Sequence, residues 1–135
     1  MQYQRRVVIT GVGALTPVGL SAQETWEALT KGKSGIAPIT AFDVSLFKTK
    51  FGGEIKGFDP EHIIERKEAR KMDRYSQISI CAVDEAIRDS HLEISQENSY
   101  RIGVIWGSGM GGLQTTEQEC FEYAKGDGTP HFNPF

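Results

Sequence analysis

Two β-branched runs, each leading directly into a Gly-x-Gly turn, constrain this chain more than any other feature. Val7-Val8-Ile9-Thr10 runs into Gly11-Val12-Gly13, and Ile102-Gly103-Val104-Ile105-Trp106 runs into Gly107-Ser108-Gly109. Short continuous apolar runs stopped by glycine predict strands buried on both faces. Such strands need a layered α/β body around them. Only one other strand is legible, a short one near 51–55. A buried sheet needs more neighbours than these three to satisfy its edges and cover its faces. Many of residues 7–9 and 102–106 should therefore pack on material outside the 135 residues, or stand exposed.

The rest of the chain reads mainly as helix. Ser21-Ala22-Gln23-Glu24 is a capping-box pattern. It predicts a helix with Ala22, Trp26 and Leu29 on one face, stopped at Gly32. Residues 33–58 have little periodicity, and Phe42, Phe47, Phe51 and Phe58 there are expected to pin a loop to the body. Asp59-Pro60-Glu61 supplies a cap, a first-turn proline and an acidic first turn, predicting a short helix to about Arg66. A longer helix should begin near 69–73 and end about Ser90. Its two apolar stripes, Ile78/Cys81/Ala82/Ala86 and Ile80/Val83/Ile87, call for cover on more than one side. His91 then falls at the C′ position, where a left-handed backbone usually takes Gly or Asn. A last helix is predicted over Leu113–Lys125.

Composition excludes several classes. The net charge is −3, too acidic for a general nucleic-acid binder. No apolar run approaches the roughly 20 residues that span a bilayer, and the first ten residues lack an apolar signal core. Cys81 and Cys120 cannot form a disulfide framework and read as reduced thiols of a cytosolic protein, Cys81 as a small buried hydrophobe. His62, His91 and His131 have no metal-ligand spacing to each other or to Cys. Glycine is high, at fifteen of 135 residues, about 11% against roughly 7% in an average protein. Many positions must therefore need positive φ or close backbone approach.

Two motifs could carry chemistry. Gly107-Ser108-Gly109-Met110-Gly111-Gly112 fits G-x-G-x-x-G between a strand and a helix, the phosphate-cradling pattern of dinucleotide sites. Its required acidic partner is missing: Asp127, the nearest acid at the right distance, lies in a Gly-Asp-Gly turn. The alternative is that the glycines let a strand end turn tightly in a packed interior. The second motif is basic. Lys67, Arg70, Lys71 and Arg74 recur at helical spacing, and residues 66–74 hold five basic and two acidic side chains. They form either a solvated face, with Glu68 and Asp73 as intrahelical partners, or a docking patch for an acidic partner.

Taken together, these phrases resemble one family. The stretch from Arg6 through Thr16-Pro17 to Gly19 looks like the opening of β-ketoacyl-acyl-carrier-protein synthases. Trp26, Leu29, residues 32–36, Phe42-Asp43, Phe58-Asp59-Pro60, the 66–75 stretch and the 107–113 turn continue the likeness, which covers essentially the whole chain and is most similar to the synthase II type. The resemblance implies a thiolase-like αβαβα layered fold, of which residues 1–135 are the N-terminal portion of the first half. It implies a cytoplasmic homodimer that elongates fatty acids by decarboxylative Claisen condensation, with no membrane or nucleic-acid partner. The acyl carrier protein is the implied partner, and it brings its own phosphopantetheine, so no bound cofactor and no metal are expected. The family's Cys-His-His set has no counterpart in this chain, so the 135 residues alone are expected to be inactive. By position, Lys67, Arg70 and Lys71 match the family's carrier-docking residues, and Met110 and Phe135 its acyl-pocket residues. Met110 stands where many relatives carry Ile, so chain-length preference is expected to differ. A non-catalytic chain-length-factor relative is the alternative within the family, and a nucleotide-binding module using the 107–112 turn is the alternative outside it.

Overall fold

The computed structural model describes residues 5–130 and 132. They fall in two compact units, one drawn from Met1–Phe58 and Ala82–Ile94, the other from Asp59–Cys81 and Ser95–Phe135.

In the first unit, helix α1 covers Ala22–Thr30 and opens as its capping pattern predicts. Ser21 Oγ accepts the Glu24 N–H at 3.1 Å. Glu24 Oε2 in turn accepts the N–H of Leu20 at 2.8 Å, one residue earlier than in the usual reciprocal box. The helix closes with Gly32 N–H on the Leu29 carbonyl (3.0 Å) and Lys33 N–H on that of Ala28 (2.9 Å), a Schellman end with Gly32 at φ 67°. The buried face differs from the one expected. Ala28 is buried, with Ala22 and Thr25 partly covered, while Trp26 and Leu29 are exposed.

The short strand near residue 51 is present as β2, Phe51–Gly53. It pairs antiparallel with β1, Ile36–Pro38, with Ile36 opposite Gly53 and Pro38 opposite Phe51. The loop between them closes through Glu54, whose carboxylate accepts the N–H and hydroxyl of Thr40 and the N–H of Ala41 at 2.8–3.1 Å. Phe42 and Phe47 do not pin this loop to a core. They pack edge-to-face on one another at 5.7 Å, and both remain exposed, as does Phe51.

Helix α3, Arg74–Ser90, contributes its Ala82–Ser90 stretch to this unit. The Gly11–Gly13 turn lies against its backbone. A Cβ on Gly13 would overlap the Ala82 carbonyl oxygen, and one on Gly11 that of Ala86. Only glycine permits an approach this close. The helix ends with the His91 N–H on the Arg88 carbonyl (3.2 Å) and the Leu92 N–H on that of Ile87 (3.4 Å). His91 takes the left-handed conformation expected of the C′ position, at φ 53°.

In the second unit, the segment after Asp59 makes one turn rather than a helix: the N–H groups of Ile63 and Ile64 both donate to the Pro60 carbonyl. Helix α2 follows at Arg66–Ala69, and Ile64 and Ala69 are buried beside it. A break separates α2 from α3, so the long helix begins at Arg74. Cys81 on α3 is 4% exposed, a small apolar core residue. Helix α4 spans Leu113–Lys125, as its sequence predicts.

Neither β-branched run forms a strand among the described residues. Residues 7–10 and 102–106 are without a ladder partner. Val7 is 94% and Ile105 99% exposed. This is the exposed outcome anticipated for these runs: residues suited to a pleated, covered surface have no neighbouring strand to bond and no layer to cover them.

Candidate docking and acyl-pocket elements

All of the described site residues lie in the second unit. The basic residues are not carried on one continuous helix. Lys67 lies on α2, Arg70 is its C-cap, Lys71 follows in the break, and Arg74 opens α3. Gln77 fixes the break, its Nε2 donating to the carbonyls of Ala69 (2.8 Å) and Met72 (3.1 Å). The C-terminal end of α2 is thereby tied to the first turn of α3.

Charge in this segment is unevenly engaged. Lys71 Nζ lies 2.7 Å from Glu68 Oε1, and both groups are part-buried. Arg66 pairs with Glu61 at 3.3 Å. Lys67 and Arg70 are exposed and form no salt bridge among the described residues. Glu68 is thus the intrahelical partner expected of it, but Asp73 is not. Asp73 caps α3: its Oδ1 accepts the Tyr75 N–H at 3.1 Å, and its main-chain carbonyl accepts the N–H of Ser76 and Gln77.

The second oxygen of Asp73 reaches much further along the chain. Oδ2 accepts the hydroxyl of Thr115, in the first turn of α4, at 2.5 Å. The Tyr75 ring lies against Gly111, where a Cβ would come within 2.8 Å of the Tyr75 Cζ. Gly112, at φ 69°, caps α4. Met72, Asp73, Tyr75, Thr115, Cys120 and Phe132 help line an open concavity of about 380 Å³. Met110, just before Gly111, is 71% exposed. Phe135, the other residue expected at the acyl pocket, lies outside the described residues, as does His131. The contacts of Asp73, Tyr75 and Thr115 were not anticipated from the sequence. An Asp directly ahead of a helical stretch signals a cap, but nothing in the sequence points to a partner 42 residues away.

The geometry gives the dinucleotide reading of the 107–112 turn no support. The pattern needs a strand before its glycines and an acid at the end of a second strand, and residues 102–106 form no strand. Asp127 is engaged locally: hydrogen bonds from the Thr129 side chain and N–H hold its carboxyl below the ordinary value. Among the described residues, no group of three His, Cys, Asp or Glu side chains is placed to hold a metal ion. No helix among them is long and apolar enough to cross a membrane.

A family model described as the β-ketoacyl synthase N-terminal domain matches residues 4–134. The chain belongs to the β-ketoacyl synthase family. It is 46% identical to a 3-oxoacyl-[acyl-carrier-protein] synthase 2 of Synechocystis sp. over 116 residues, which are 86% of this chain and 28% of that protein. A protein of the same description from Vibrio cholerae is 46% identical over 134 residues, 97% of this chain and 32% of that one. The chain therefore spans about a third or less of the length of these relatives. Among solved structures, a β-ketoacyl synthase from Burkholderia phymatum superposes with a TM-score of 0.73 at 26% identity, over 95% of this chain and 32% of that one. The ishigamide ketosynthase/chain length factor superposes at 0.61 and 34% identity, over 66% of this chain and 22% of that one. This β-ketoacyl synthase chain is thus an α/β portion of the thiolase-like ketosynthase fold.

Proposed function

We propose that this chain is the N-terminal portion of a β-ketoacyl-[acyl-carrier-protein] synthase of fatty-acid elongation, acting as a cytoplasmic homodimer. The observation that carries this reading is the 46% identity, over nearly the whole chain, to 3-oxoacyl-[acyl-carrier-protein] synthase 2 proteins. In this reading a Cys thiolate elsewhere in the polypeptide takes the acyl group and releases the carrier thiol. Malonyl on a second carrier loses CO2, and the carbanion left behind attacks the acyl carbonyl. A carbon–carbon bond forms, the Cys–acyl bond breaks, and a 3-oxoacyl thioester leaves on the carrier. Two His residues of the same remote set assist.

The roles assigned to this chain are docking and pocket shape. Lys67, Arg70 and Lys71 receive the acidic carrier protein, whose attraction acts mainly on encounter rate and orientation. Met110 and Phe135 border the acyl chain. The test is an assay of the full-length polypeptide with acyl-carrier and malonyl-carrier substrates. The expected products are CO2 and 3-oxoacyl-carrier, and the 135-residue chain alone yields neither. Turnover by that chain alone, or none by the full-length protein, refutes the reading.

A further inference from the structure

Resting on the synthase reading and on its placement of Met110 at the acyl chain, we infer that Asp73, Tyr75 and Thr115 are positioning residues that hold the Met110 turn and so set acyl-chain-length preference. Three observations carry this. The Thr115 hydroxyl donates to Asp73 Oδ2 at 2.5 Å, which fastens the first turn of α4 to the start of α3. The other oxygen of the same carboxylate is held by the Tyr75 N–H, so its orientation is fixed from both sides. The Tyr75 ring packs against Gly111, where a Cβ would lie 2.8 Å from Cζ, so the backbone beside Met110 rests on that ring.

Met110 itself is largely exposed and flexible, and its own packing does not define where it sits. Its position is inherited from the residues on its C-terminal side, Gly111 against Tyr75 and the α4 turn against Asp73. Site geometry held by packed and hydrogen-bonded supporting residues is lost when that support is removed, even with the site residue intact. A turn released from this support lets Met110 move relative to an acyl chain. The cost then depends on how far the acyl chain reaches.

The test uses the full-length enzyme and the ratio of kcat/KM for a long acyl-carrier substrate to that for a short one. Thr115→Val keeps the shape and removes the donor. It should shift the ratio about ten-fold, the effect of losing one hydrogen bond to a charged acceptor. Thr115→Ser restores the donor and should return the ratio to that of the wild type. Tyr75→Leu removes the ring while leaving the Asp73–Thr115 bond in place, and should shift the ratio in the same direction. Met110→Ala serves as the reference for a directly altered pocket. A shifted ratio in Met110→Ala with unmoved ratios in Thr115→Val and Tyr75→Leu overturns the positioning role alone. If Thr115→Val does not fold, an unmoved ratio in Tyr75→Leu overturns it. An unmoved Met110→Ala overturns the placement of Met110 and this inference with it. A wild type without condensing activity overturns the synthase reading and, with it, the inference.

Discussion

The Glu85 carboxylate clasps Ala14: Oε2 accepts the Ala14 N–H at 2.8 Å, while Oε1 accepts the N–H of Ala22, in the first turn of α1, at 2.9 Å. Asp89, one helical turn further along α3, accepts the Val12 N–H at 2.9 Å. The segment leaving the first β-branched run is therefore held to α3 by carboxylates, not by a sheet ladder. Each bond has a charged acceptor, which makes it stronger than a neutral pair.

Replacing Glu85 by Gln keeps the shape and one oxygen acceptor but turns the other into an NH2 group, which cannot accept. One of the two N–H groups loses its partner. The expected cost is about 1–3 kcal/mol of folding stability, read as a lower urea midpoint with unchanged m-value. Glu85→Ala should cost more, since both N–H groups are then left unpaired. Equal stability of Glu85→Gln and wild type would show that water replaces the carboxylate at no cost.

Gly13 makes a sharper demand on the same contact. Its Cα faces the Ala82 carbonyl with no room for a methyl group. Gly13→Ala must push the 11–14 segment off α3, straining the Glu85 and Asp89 bonds as well. The expected loss is about 1–3 kcal/mol from overpacking. Because the sites share these contacts, it should be non-additive with Glu85→Gln in a double-mutant cycle.

Local signals were legible where one short segment decides the structure. Ser21 and Gly32 bracket α1, Leu113 and Lys125 bound α4, and His91 ends α3, each as the sequence implies. A separate start for α3 near 69–73 is legible, but the extra helical turn of α2 at Arg66–Ala69 is not. Asp73 sits at helical spacing from its basic neighbours and reads as their partner, whereas its carboxylate caps a new helix. Strand β1 is not legible in the sequence, because Ile36–Pro38 is three residues long and ends in proline, which usually argues against a strand. The two β-branched runs carry strong strand propensity, yet propensity cannot supply a neighbour, and among the described residues they have no strand partner. The basic cluster is legible as a pattern, and only the family resemblance proposes Met110. Neither points to Thr115 or Tyr75, because their contacts depend on which distant segment folds against them.

His91 is a non-glycine residue at φ 53°. A left-handed backbone costs an L-residue roughly 1–2 kcal/mol, and glycine escapes this. Some of the cost is offset by His91 Nδ1, which lies 3.0 Å from the Arg88 carbonyl. His91→Gly should therefore stabilise the chain by about 1 kcal/mol or a little less. His91→Val, β-branched at the same φ, should destabilise it. Thermal unfolding of the two variants should move in opposite directions from the wild type.

The three cations proposed to dock the carrier should not contribute equally. Lys71 already faces Glu68 at 2.7 Å, so a carrier carboxylate must compete for it. Lys67 and Arg70 have no such competitor among the described residues. Reversing Lys67 or Arg70 to Glu should weaken carrier binding several-fold at low ionic strength and flatten its salt dependence. Lys71→Glu should weaken it too, since it adds a second negative charge beside Glu68. Glu68→Gln should strengthen binding by removing a negative charge that repels the acidic carrier and competes for Lys71. Titrations of carrier protein against each variant at two salt concentrations decide this. Affinity unchanged at low salt in all three reversals would remove these residues from the docking surface.

The Glu54 loop closure gives the chain an acid-sensitive corner. Hydrogen bonds from the Thr40 side chain and N–H, then from the Ala41 N–H, hold the Glu54 carboxyl below its ordinary value of 4.5. A carboxyl with a depressed folded-state pKa stabilises the fold fully above its unfolded value, and that contribution is lost as pH falls through the folded value. The Thr40–Ala41 closure should therefore be unchanged from neutral pH down to about the ordinary carboxylate range and open only below it. Amide chemical shifts of Thr40 and Ala41, followed against pH, should titrate together with a midpoint under 4.5. In Glu54→Gln the same amides should show no such titration. A midpoint at or above the ordinary value would mean that the three donors do not hold the carboxylate in solution.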